Sequence, residues 1–190
     1  KSSNEFNFIK AKFIAYTNND DSDKLNGDAK IYYEAIHSSL SGNLFESLKK
    51  INILISKYNK KKFFIETKAD ILLSYGYNKE ALRFYKKILK THPQNNYIKY
   101  NIFLYSNFEE QNKIFLKKNF LENQVLISLF PQNHILLTKF YNLAKILEYD
   151  DWISFFEILL FEKDNFKSNL YKLDQYTKDY NLKKIINLYI

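Results

Sequence analysis

Apolar residues recur at helical spacing along nearly the whole chain, as in Phe6, Ile9 and Phe13 or Leu82, Tyr85 and Leu89. Strand signals are nearly absent. The one Asn-Gly pair, Asn26-Gly27, leads into a helical pattern instead of joining two alternating runs. The pattern predicts helices over 4–16, 28–40, 43–58, 62–75, 78–91, 95–107, 112–129, 133–148, 150–162, 165–179 and 181–189. The stretch from Thr17 to Asp28, with Asp20, Asp21 and Asp23 inside it, reads as a loop that sets an N-terminal helix apart. The longest apolar run, Trp152 to Phe161, is broken by Ser154 and Glu157 and falls far short of the roughly 20 residues a membrane-spanning helix needs.

Three glycines and two prolines punctuate these 190 residues, and their placement is periodic. Gly42 and Gly76 are 34 residues apart, as are Ala35 and Ala69. The same offset pairs Ser47 with Ala81, Ile51 with Tyr85 and Leu54 with Ile88. A small residue, a glycine, a small residue and two bulky apolar ones at one fixed offset is an internal repeat. Its physical logic is a helix hairpin: the small residue lets two helices approach, the glycine opens the turn, and the second helix packs back. Pro93 falls where the next hairpin starts, because proline is tolerated in a helix's first turn and not in its interior. Pro93-Gln94-Asn95 recurs as Pro131-Gln132-Asn133, marking a further boundary after a stretched unit.

This pattern resembles the tetratricopeptide repeat. The better copy runs from Lys62 to Asn95, with Ala69, Gly76, Ala81, Tyr85 and Pro93 in place; the earlier copy, Asp28 to Lys61, keeps Ala35 and Gly42. The resemblance implies an all-α fold of the α-solenoid type. It would comprise an N-terminal helix (1–17), repeats over 28–61, 62–95, 96–133 and 134–162, and capping helices over 163–190. In such arrays the first helices line a concave groove, which implies protein-binding positions Ala29, Tyr32, Ile36 and Ser39, then Phe63, Glu66, Asp70 and Leu73, then Tyr97, Tyr100, Leu104 and Asn107. Arrays that clamp a C-terminal carboxylate use Lys and Asn there. Glu66 and Asp70 would repel one, so the expected ligand is apolar or aromatic with a basic neighbour.

Composition mainly excludes. The net charge is +8, but 29 basic residues include only one arginine, Arg83, and Asn, Ile, Lys, Phe and Tyr are abundant throughout. That bias matches an AT-rich coding sequence and weakens the case for nucleic acid, whose readers favour arginine. Without cysteine there is no disulfide, thiolate nucleophile or Cys zinc site. His37 has Glu34 one turn before it but no second histidine one turn on; His92 ends a helix and His134 opens one. There is no Gly-x-Ser-x-Gly elbow, and Ser38, Ser39 and Ser41 read as turn residues. Asp150-Asp151 and Glu109-Glu110 precede helical patterns, where acids suit the helix dipole. The Lys60-Lys61-Lys62 triplet reads as a solvated turn, and the 16 Tyr and 17 Phe as packing between helices. No catalytic, metal or cofactor site is expected in this segment.

A broader likeness covers most of the chain. Ala11-Lys12-Phe13, Tyr32-Tyr33-Glu34-Ala35-Ile36, Leu54-Ile55 and the stretch Glu66 to Gly76, followed by Glu80-Ala81 and Pro93, resemble the C-terminal repeat domain of bacterial periplasmic zinc metallopeptidases of the β-barrel-assembly-enhancing type. The chain departs from that pattern at Lys60-Lys61-Lys62-Phe63, where the family carries a proline, and in the short spacing between Ala11 and Tyr32. The resemblance implies a cell-envelope protein whose zinc lies in an upstream peptidase domain. The start at Lys1, with no initiator methionine and no apolar signal region, reads as an excised segment or a processed product. The repeat domain would then position that peptidase on substrates or on outer-membrane assembly machinery. A free-standing tetratricopeptide adaptor and a lysine-rich nucleic-acid scaffold are the two other readings.

Overall fold

A computed structural model describes residues 2–17, 20–59, 61–108, 112–162 and 164–190. Lys60 and the Glu109-Glu110 pair lie outside the described residues. Among those described there is no strand, and no helix is long and apolar enough to cross a membrane. The chain divides into two compact units, Lys1–Gln94 and Asn95–Ile190.

The first unit holds α1 (Ser2–Thr17), a 3-10 turn (Asp20–Lys24), α2 (Gly27–Leu40), α3 (Leu44–Lys57), α4 (Lys62–Ser74) and α5 (Asn78–Thr91). Helix α2 packs on α3, and α4 on α5, each pair folding back over a short turn. Both turns end the first helix in the same way. Gly42 and Gly76 take φ of +84° and +79°, and the residue after each donates its N–H five residues back, Asn43 to Ser38 and Tyr77 to Leu72. Such a left-handed residue satisfies carbonyls the helix end leaves open. Glycine adopts it without the strain a Cβ brings.

Beyond each turn the helices meet at small residues. Ala35, Ala69 and Ala81 have no exposed surface. Ser47, standing where the other copy has Ala81, uses its hydroxyl to donate to the Ala35 carbonyl at 2.7 Å, across the helix pair. Ile51, Leu54, Tyr85 and Ile88 are buried behind them. At the open end of the α2–α3 pair, Asp28 accepts from Lys57 Nζ (2.8 Å) and Tyr58 Oη (2.6 Å). These two hydrogen bonds and the lysine's charge hold the Asp28 carboxyl below the usual carboxylate range.

The second unit holds α6 (Asn96–Tyr105), α7 (Lys113–Asn123), α8 (Val125–Leu129), α9 (His134–Leu147), α10 (Asp150–Phe161), α11 (Phe166–Tyr176) and α12 (Tyr180–Ile186). The helix expected over 112–129 is therefore two. Asn119 and Asn123 turn their side-chain amides back onto the carbonyls of Phe115 and Asn119, competing with the backbone ladder, and the chain tightens at Gln124. Helices α9 and α10 pack on one another. The turn between them repeats the bonding seen in the first unit, Tyr149 N–H to Ala144, with Glu148 at φ +59° in place of a glycine. The core is aromatic: Phe103 stacks on Phe140 at 4.2 Å between centroids, and Phe120 meets Phe140, Tyr149 and Trp152 edge-on. Trp152 Nε1 donates to Asp179 at 2.8 Å. Both asparagines of the recurring Pro-Gln-Asn are helix N-caps, Asn95 accepting from Ile98 N–H and Asn133 from Leu136 N–H.

Two outcomes follow. No neighbouring atom lies within 4 Å of a Cβ built at Gly42 or Gly76, so Gly42→Ala and Gly76→Ala are opposed by backbone strain alone; urea denaturation should show each losing about 1–2 kcal/mol. Asp28 titrates lower when folded, so its contribution is present above its unfolded pKa, near 3.8, and is lost as pH falls through the lower folded value. Asp28→Asn should lower stability at pH 7 and give a shallower acid decline than the parent, measured by melting temperature between pH 2 and 5.

A candidate protein-binding cavity

The face of α2 and α4 that the repeat assigns to a partner is occupied within the first unit by α1. Tyr32 and Ile36 are buried, and Tyr32 shares a 2.7 Å hydrogen bond with Thr67. Phe8 of α1 enters edge-on between Tyr32 (5.8 Å) and Phe64 (5.1 Å) and rests on Phe63 (6.3 Å). Further along, Lys12 lies 4.0 Å from Asp70, which also accepts from Tyr85 Oη at 2.5 Å. At the other end Glu5 pairs with Lys61. Burial pushes the Tyr32 phenol far above the usual tyrosine range. Tyr32 and Ile36 are thus core residues, not open surface, because a helix of the same chain covers them. Phe63, Glu66, Asp70, Leu73 and Ser39 are half-buried, and the Ser39 carbonyl accepts from Tyr75 Oη and from Gly42 N–H.

Magnitude decides whether α1 is a removable cover. It buries Phe8 and Ile14 almost completely, along with Ala11 and Ala15. Two large side chains at about 1.5–3 kcal/mol each, with the alanines added, give roughly 5 kcal/mol. A burial of that size is comparable to a small domain's whole net stability, about 5–15 kcal/mol. Helix α1 is part of the first unit's core.

In the second unit the face is open. A cavity of about 830 Å³ lies between the end of α6 and one side of α9, lined by Leu104, Phe108, Ile135, Thr138, Asn142 and Ile146 among others. Leu104 and Asn107 are two of the positions expected from the sequence, and both line it. Tyr100 does not. It stacks on Phe130 at 4.7 Å and accepts from Asn133 Nδ2 at 2.9 Å, while Tyr97 is exposed outside the cavity. Ile135, Thr138 and Asn142 were missed. The second, fifth and ninth positions of a unit opening at His134 are these three residues, so the periodicity already applied to the earlier units was the signal.

Lys139 is the cavity's charged group. Its Nζ donates to the carbonyls of Leu104 and Ser106 and lies 4.8 Å from the Phe108 ring centre. An ammonium there answers the unpaired carbonyls and negative end of α6. Burial lowers its pKa from the ordinary lysine value. No carboxylate pairs with Lys139 among the described residues. The lining combines aliphatic surface, amide and hydroxyl groups and one cation, a combination suited to a polypeptide with apolar anchors and a carboxylate or carbonyl near Lys139.

Of the three histidines, His134 lines the cavity at the start of α9 and the other two have local partners. His37 stacks on Tyr33, and His92 bonds Thr91. Asp151 accepts from Thr177 Oγ1 at 2.6 Å in the first turn of α10. No group of three or more His, Cys, Asp or Glu arranged to hold a metal occurs among the described residues.

Truncating the α1 anchor tests its structural role. Phe8→Ala should destabilise the chain by about 3–5 kcal/mol in chemical denaturation, the range for an aromatic deleted from a core. A loss below about 1 kcal/mol would make α1 a detachable cover.

Comparison with protein-family models, with curated proteins and with solved structures gives no match to the chain.

Proposed function

We propose that this chain is a non-catalytic protein-interaction scaffold of the tetratricopeptide type, and that a partner polypeptide binds in the α6–α9 cavity of the second unit. The observation that carries this reading is the cavity itself. It is an open, mainly apolar recess with one cation, on the helix faces that the repeat periodicity assigns to a ligand. The all-helical fold and the recurring left-handed turns after α2, α4 and α9 support it. The sequence resemblance extends the proposal to a parent protein. The chain would serve as the repeat domain of a bacterial envelope zinc metallopeptidase and bring it to substrates or to outer-membrane assembly machinery, with the zinc held by an upstream peptidase domain.

A second reading rests on one observation. The outer side of α5 carries Lys79, Arg83, Lys86, Lys87 and Lys90, all exposed and none in an ion pair among the described residues. This row suits a polyanion such as single-stranded RNA. The scarcity of arginine keeps it second.

A photo-reactive residue placed at Thr138 separates the readings. With envelope extract it should yield discrete adducts that disappear in the Ile135→Asp, Ile146→Asp variant. A probe at exposed Lys117 should yield none of them. Equal labelling from both positions counts against the cavity. RNA binding that weakens steeply with salt and is lost on Lys79→Glu plus Arg83→Glu would put the second reading first.

A further inference from the structure

Helix α1 is apolar on two sides, and the first unit covers only one. Phe8, Ala11, Ile14 and Ala15 face the core. On the other side Phe6, Ile9, Phe13 and Tyr16 are 67, 61, 62 and 58 % exposed. Single exposed apolar residues are ordinary on protein surfaces. Four large ones spaced three, four and three along one helix are not single. Their spacing is that of the a and d positions of a two-stranded coiled coil, with Phe6 and Phe13 at a, and Ile9 and Tyr16 at d. A helix apolar all round is normally buried all round.

The charges beside this seam indicate what covers it. With Phe6 at a, Glu5 falls at g, Lys10 at e and Lys12 at g. In a parallel pair of two α1 helices the g residue of one meets the e residue five places on in the other. Glu5, whose Oε1 takes Lys61 of its own unit while the side chain stays 63 % exposed, then turns its other oxygen to Lys10 of the second copy, twice by symmetry, and Lys12, beside Asp70, meets the neutral Thr17. In an antiparallel pair centred on the same seam, Lys10 and Lys12 of both copies would crowd together near the middle. We propose that the outer face of α1 is a homodimer seam, joining two copies of this chain through parallel α1 helices in register. It does not depend on a partner binding in the α6–α9 cavity. Two heptads make a small interface, so the expected association is weak, with dissociation on the order of 10–100 µM.

Sedimentation of the full chain should show a monomer–dimer equilibrium in that range. Phe6→Glu with Phe13→Glu should leave it monomeric with unchanged far-UV circular dichroism. Lys10→Glu should weaken the dimer roughly fivefold, and adding Glu5→Lys should restore it. The chain has no cysteine, so Ile9→Cys gives a clean geometric readout. Paired d positions of a parallel, in-register dimer should cross-link under mild oxidation. A chain monomeric at about 500 µM, well above the range of weak specific interfaces, overturns the proposal. So does a dimer indifferent to the two glutamates, or cross-linking of Phe6→Cys to Tyr16→Cys in place of Ile9→Cys. A heterologous polypeptide that binds the monomer and is released by the same two glutamates overturns it in favour of another occupant.

Discussion

Close approach of two helices at an alanine, followed seven residues later by one left-handed residue, is the constraint on which the rest of the first unit depends. Ala35 and Ala69 have no exposed surface because another helix passes over them, and Gly42 and Gly76 turn the chain so that it does. Ser47 reaching the Ala35 carbonyl shows how near the helices lie, since a serine hydroxyl spans the gap directly. The second unit uses the same turn at Glu148, where a side chain is tolerated at some cost in strain. The backbone of the second unit thus repeats this turn without the glycine that marks it in the first.

The same helix face has opposite fates in the two units. In the first, Phe8 and its neighbours fill it and are buried there. In the second, nothing among the described residues covers the recess beside α9. The open recess therefore lies not at Tyr32 and Ile36 but beside Leu104, Ile135, Thr138 and Asn142. Lys139 ties the recess to the fold. The ammonium that closes α6 also gives the cavity its sign.

Much of this architecture was legible in the sequence for physical reasons. Scarce glycine and proline sit only where backbone geometry demands them, and the two Pro-Gln-Asn stretches announce helix starts because asparagine caps the helix that follows. Helix boundaries matched within a few residues for the same reason. The break at Gln124 was not legible, since it arises from asparagine side chains competing with the backbone and no glycine or proline marks it. Nor was the position of α1. With apolar residues on two sides, its pattern does not say which side faces the unit. The α9 side of the cavity lay in the unit whose turn glycine is replaced, and so escaped a reading anchored on glycines.

On the proposed reading a partner polypeptide binds beside α9 and not between α2 and α4. Methyl NMR on the isoleucine-labelled chain, titrated with a polypeptide captured through Thr138, tests it most directly. Ile135 and Ile146 should shift and saturate while Ile36 and Ile51 stay still. Shifts at Ile36 and Ile51, with Ile135 and Ile146 unmoved, would contradict it.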